Sequence, residues 1–211
     1  MNLLLIILSV FTTYQHSTYH SECEESVNAS REAVYQVVDD FIYDMQTDIN
    51  RLGTWAFLGT EDKGDAEKDA IAIVYKDTYY DPALHYGYII VDVKVPGLRT
   101  FKNIKISSLL TDTVTDGVRH ALEDIDYSGT LLKMDNATFH VKPLDENLHV
   151  LTLDLNVRFG WFFNIFVSRK VYRDVLEWRL QQIVNNLCEK AETGIVTGHY
   201  KELQPLAYWT R

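Results

Sequence analysis

Cysteine is scarce in this chain: two among 211 residues, Cys23 and Cys188, with no CxxC and no HExxH spacing anywhere. That excludes a zinc module built on paired cysteines or on a metalloprotease helix. In an exported protein the two thiols permit one disulfide; equally, both can be free and buried. Cations are the second scarcity, 20 Lys and Arg against 30 Asp and Glu for a formal net charge of −10. A general nucleic-acid binder needs clustered Lys and Arg on phosphates and is excluded, and so is electrostatic adhesion of the chain as a whole to an anionic membrane. One local basic patch, Arg169, Lys170 and Arg173, stands apart from that balance, and a solvated helix face is its simpler reading.

Long apolar runs are missing as well. The longest, Leu3–Phe11 with only Ser9 polar, is too short to cross roughly 30 Å of hydrocarbon as a helix. There is no GxSxG, no Gly-rich phosphate loop and no Cys–His pair at a protease spacing, which removes the motif-bearing hydrolases and nucleotide enzymes. With 4 Pro, no repeat and no Pro/Ser-rich linker, nothing divides the chain. We read residues 1–20 as a signal peptide, 21–197 as a single domain and 198–211 as a C-terminal tail.

The leader reading rests on the Leu3–Phe11 run, which fits the apolar core of a secretory signal with a cut between Thr12 and Ser21. It implies a secreted or periplasmic location. A short buried strand is the other reading of the same residues. The sequons at Asn28 and Asn136 matter only in a host that glycosylates.

What is present is pattern. Ser30 is a good N-cap, and Ala33, Val34, Val37, Val38 and Phe41 repeat at helical spacing, with a second helical stretch through Met45, Ile49 and Leu52 ending at Gly53. Strands are expected over 70–76, 86–95 and 101–110, with an Asp-Pro turn between the first two and Pro96-Gly97 closing the second. Residues 111–125 fit a short helix, with Gly117 inside it as a penalty. Two further strands are expected on either side of a turn at Asp135-Asn136, followed by a strand at 148–159 whose two faces differ. A helix from about Ser168 to Glu192 carries the stripe Tyr172, Leu176, Leu180, Ile183, Val184, Leu187 and Ala191, with Thr193-Gly194 as its stop.

Two stretches carry a family likeness. "ESVNASREAVYQVVDDF" gives a first strand, a small residue and a helix ending in an acidic residue before an aromatic, Asp40-Phe41. "LNVRFGWFFNIFVSRKVYRDVLEWRLQQIVNNL" gives a last strand, a glycine-aromatic turn and an amphipathic helix. The order resembles the START-like helix-grip superfamily, of polyketide cyclase and lipid-transfer type. The resemblance implies an α+β fold in which a curved antiparallel sheet wraps around a long C-terminal helix. It further implies an apolar cavity between the two, lined by Tyr86, Tyr88, Phe139, Leu153, Tyr172, Leu176 and Ile183, with Trp161, Phe162, Phe163 and Phe166 near one mouth. Ordinary core packing is the alternative for each of them.

Catalytic chemistry is thinly represented. His140 shares a strand face with Thr138 and Lys142 and is expected to meet solvent, while His85 sits in a turn. Asp154, Asn156 and Arg158 form one polar strand face, which orients a ligand if it lines the cavity and does nothing special if it is the outer surface. The reading is therefore an exported non-catalytic binding protein for an apolar small molecule or lipid, with transient membrane contact, no nucleic-acid partner and no metal or other cofactor. The alternatives are an extracytoplasmic interaction protein with a filled core, and a cyclase- or hydrolase-like enzyme using the same cavity.

Overall fold

Along β2 (Thr18–Asn28) every second side chain from Tyr19 to Val27 is buried, the period-two pattern of a strand with one face on a core. The computed structural model describes residues 9–60, 72–94, 100–116, 118–126, 132–161, 169–173 and 177–198. Their strands form one antiparallel sheet of eight. Its further members are β1 (Ser9–Gln15), β3 (Ala72–Asp81), β4 (Tyr86–Lys94), β5 (Thr100–Thr115), β6 (Val118–Asp126), β7 (Leu132–Pro143) and β8 (Leu148–Phe159), in the order β1-β2-β8-β7-β6-β5-β4-β3. From β3 to β8 each strand pairs with its neighbour in sequence; the N-terminal hairpin then docks β2 against β8.

The sheet begins inside the segment read as a leader: Ser9–Gln15 pairs in unbroken register with Thr18–Glu24. Residues 111–125 are not helical. They are the end of β5 and most of β6, turned at Asp116 with a positive φ of 53°. Thr111, Thr113, Val114, Thr115 and Val118 are β-branched and prefer the pleated surface, and cross-strand pairing on both sides outweighs the 3–4 apolar spacing. No turn occurs at Asp135-Asn136 either. β7 runs straight through, because both flanking strands pair with it there, Asn136 facing Asn156 and Asp124.

The helices cover the concave face. α1 (Arg31–Thr47) starts on Ser30, whose hydroxyl accepts from the Ala33 N–H at 3.2 Å, and buries Val34, Val37, Val38 and Phe41 as the spacing predicts. α2 (Ile49–Gly53) follows. After β8 come a four-residue helix, α3 (Arg169–Tyr172), and α4 (Trp178–Thr193), which ends on Gly194 at φ 80°. Packing closes a first apolar cluster around Cys23, Val27, Leu52, Phe139, Leu151, Leu153, Val184 and Leu187.

Both ends of the helix–sheet seam are pinned. Near one end the Glu192 carboxylate accepts from the Asn28 N–H at 2.8 Å; at the other Tyr172 stacks on Tyr19 with ring centres 3.7 Å apart. α4 therefore runs in the direction of β2. Cys23 on β2 and Cys188 on α4 both lie in the first cluster. Neither cysteine is in a disulfide, and both are fully buried. Burial, with Glu25, Glu22 and Glu24 behind it, pushes the Cys23 thiol well above its usual range.

Candidate functional site

A second apolar cluster occupies the concave face beyond the first. Tyr19, Val91, Val93, Ile104, Val157 and Tyr172 are its buried members. Pairing explains how they meet: Tyr19 lies opposite Val157 on the β2–β8 side, and Ile104 opposite Val91 on the β4–β5 side. With β7 and β6 between them, a flat sheet could not bring these two sides together. The curvature of the sheet does.

Around the buried members stands a rim of half-buried apolar side chains: Tyr75, Ile89, Phe101, Ile106, Leu155 and Phe159. Aromatic packing organises the β2–β8 side. Tyr19 packs against Tyr14 at 4.7 Å and Tyr172 at 3.7 Å between centroids, Phe159 stands edge-on to both Tyr19 and Tyr172, and the Arg169 guanidinium lies 4.2 Å from the Tyr14 centroid. Burial raises the Tyr19 phenol above its ordinary value, with Tyr14 adding to the shift and Arg169 opposing it. A small polar group accompanies the rings. The Tyr172 hydroxyl is 3.5 Å from the Ser21 hydroxyl, which is 2.9 Å from that of Thr12.

The expected lining residues divide. Phe139, Leu153 and Ile183 are interior but belong to the first, closed cluster, where Phe139 packs edge-on against Phe41 at 5.1 Å. Tyr172 alone lies in the second. Tyr86 and Tyr88 are on the convex face: Gly87, Ile89 and Val91 take the concave positions of β4, so alternation turns their neighbours outward. There the Tyr86 hydroxyl donates to Ser107 at 3.0 Å, and Tyr88 stacks on the exposed Tyr79 with the Lys105 ammonium over its ring. Trp161 is 69% exposed. Phe162, Phe163, Phe166 and the Leu176 placement lie outside the described residues. Tyr14, Tyr19 and Phe159 were missed because the leader reading removed the first two from the domain; alternation from Tyr19 to Val27 was the signal that could have kept Tyr19.

Asp154, Asn156 and Arg158 face outward. Asp154 pairs with His140 at 2.7 Å, and Asn156 bonds His20 and donates to Asn136 at 2.8 Å. Burial raises the Glu22 carboxyl on the same face, helped by Asp154 and Glu24 and opposed by His140. On the concave side Glu25 and His149 are fully buried near one another, His149 opposite Val27 and Glu25 opposite Leu151. They are the acid–base side chains that the enzyme alternative asks for, but they lie at the closed end of the seam, where Val27 and Leu151 are core. Among the described residues no group of three or more His, Cys, Asp or Glu is placed to hold one metal ion.

No protein-family model matches the chain, and no curated relative matches it. Several solved structures are similar in shape. Human STARD10 is 10% identical with a TM-score of 0.49, covering 85% of this chain and 73% of its own. The Zhui aromatase/cyclase from Streptomyces sp. R1128 is 14% identical with a TM-score of 0.48, covering 82% and 93%. A START superfamily protein from Mycobacterium smegmatis is 15% identical with a TM-score of 0.46, covering 82% and 96%. By element order and sheet this chain has an α+β fold, one antiparallel sheet with helices on one face and a C-terminal helix after the last strand. Likeness at this level says nothing of a ligand or a reaction.

Proposed function

We propose that this protein binds an apolar small molecule or lipid on the concave face of the sheet, against the second cluster, and does so without catalysing a reaction. One observation carries the reading: Tyr75, Ile89, Phe101, Ile106, Leu155 and Phe159 are half-buried on the face that the fold turns inward. Apolar side chains on a concave wall, with one small hydroxyl group at Ser21 and Tyr172 for orientation, are the composition of a ligand site. Native mass spectrometry of the purified protein, followed by organic extraction, tests it. A stoichiometric apolar ligand whose occupancy drops in Leu155→Asp or Ile106→Asp supports the proposal. A wild-type protein that carries nothing, and binds no hydrophobic fluorescent probe, overturns it in favour of a filled core.

Export is part of the same proposal and rests on the Leu3–Phe11 run. A cut between Thr12 and Ser21 would remove β1 in whole or in part and bare the edge of β2. The intact mass of the mature chain decides between them. A start in that window makes the segment a leader, whereas a chain that retains Ser9–Gln15 makes it a strand.

A further inference from the structure

We propose that this protein docks on anionic phospholipid bilayers through the end of the grip that carries Trp161 and a ring of cations drawn from five segments. The inference goes beyond the ligand reading and does not rest on it. In sequence the cations are scattered and outnumbered. Antiparallel pairing sorts them, because the ends of β1, β4 and β8 and the starts of β2, β3, β5 and β7 lie at one end of the sheet.

Lys94 is the last residue of β4, Lys102 stands near the start of β5, Lys133 near the start of β7 and Arg158 near the end of β8. Arg169 opens α3 against Tyr14 of β1, and Arg173 follows. All six are exposed, and so is Trp161. Among the described residues the carboxylates nearest this end are fewer. Asp92 is buried, accepting from the Asn103 N–H at 2.9 Å and lying 3.3 Å from the Lys76 ammonium, and Asp124, Asp126 and Asp135 sit on β6 and β7.

Distance decides whether the net charge of −10 defeats this patch. β8 has 12 residues and is about 40 Å long, so Asp145 and Glu146, in the turn before it, lie several Debye lengths of about 8 Å from Arg158. The acidic hairpin tips at that far end are screened from a surface that meets the cationic end. An exposed Trp beside cations is the side-chain set of a bilayer interface, where the indole sits among headgroups and each cation meets lipid phosphate or carboxylate. A duplex nucleic acid would use the cations but leave Trp161 in water, and the observations favour the bilayer.

The test is co-sedimentation of the full chain with phosphatidylcholine vesicles, with and without phosphatidylserine, at low and physiological salt. Wild type is expected to bind the phosphatidylserine vesicles and to lose binding as salt rises. Lys133→Glu with Arg158→Glu lowers the partition coefficient about 25-fold or more, at about fivefold per cation lost. The matched reversal at the far end, Arg31→Glu with Lys142→Glu, changes it less than about twofold, since those sites lie beyond screening distance. Circular dichroism checks folding, and Lys133→Gln with Arg158→Gln replaces the reversal if that variant unfolds, still with a clear loss. No preference for phosphatidylserine, equal losses from the two reversals, or a duplex oligonucleotide that competes the protein off the vesicles would each overturn the proposal. Binding to vesicles by a protein that carries no ligand leaves it standing while the ligand reading fails.

Discussion

The two apolar clusters share one sheet face and differ in what covers them. In the first, α1 and α4 both press on the sheet, and Val27, Val38, Leu52, Val184 and Leu187 are almost wholly removed from water. In the second, α3 reaches across with Tyr172, and seven apolar neighbours among the described residues remain half-buried. One end of the concave face is closed by two helices and the other is less completely covered. Polar side chains follow the same division. Asn186, beneath the closed end, donates to the Trp55, Ala56 and Leu58 carbonyls at 2.8–3.0 Å and locks the segment after α2 onto α4.

Substitution breaks or sharpens that comparison. The largest effect is expected from Leu187→Ala, which leaves a cavity between packed elements and costs about 2–5 kcal/mol in urea unfolding. Ile106→Ala, in the half-buried rim, should cost about 1 kcal/mol and instead weaken apolar-ligand binding. Equal losses of stability at the two sites would remove the distinction between the clusters.

Arg119 gives a middle-sized effect. It is buried on the concave face, donates to the carboxylates of Asp39 and Asp112 and to the Tyr35 carbonyl, and so ties β6 to β5 and α1. Burial opposes its charge, yet the two carboxylates outweigh it and hold the guanidinium protonated beyond its usual range. Arg119→Met should destabilise by about 1–3 kcal/mol, because the half-exposed carboxylates can return to water and only part of the penalty remains. Thermal unfolding with no loss of ligand occupancy is the expected pattern.

The smallest effect belongs to Asp40, 2.7 Å from the Lys190 ammonium and bonded to Gln36 at 2.8 Å. Burial alone would raise this carboxyl, but the Lys190 and Gln36 hydrogen bonds win and hold it below its ordinary value of 3.8. A depressed carboxyl contributes stability at pH above its unfolded value and loses it as pH falls through the folded one. Asp40→Asn should therefore cost up to about 1 kcal/mol near neutrality, as a partly exposed pair does, and nothing at pH values below the folded pKa. Unfolding midpoints across the acid range check the sign.

Much of the fold could be read from local signals. Ser30 as a cap, the α1 stripe, the Asp81-Pro82 turn and the Gly194 stop all depend on neighbours within four residues, and each is where its pattern put it. The failures have one cause. Residues 111–125 look helical by spacing and are strand by pairing, and Asp135-Asn136 look like a turn until β6 and β8 flank them. The site was less legible. Tyr86 and Tyr88 were on the right strand and the wrong face, a choice fixed by one residue of register.

By itself the sequence determined the class of elements, the run of strands between α1 and a C-terminal helix, and the absence of motif-borne chemistry, because helix periods, caps and turn residues act over short distances. Tertiary structure alone decided that Ser9–Gln15 has a partner, that Cys23 and Cys188 are both buried in one cluster, and that Tyr14, Tyr19, Phe159 and Tyr172 meet. It also decided that scattered cations share one end. Each of these depends on which strands become neighbours and in what register, and pairing between distant segments leaves no mark in the order of residues along the chain.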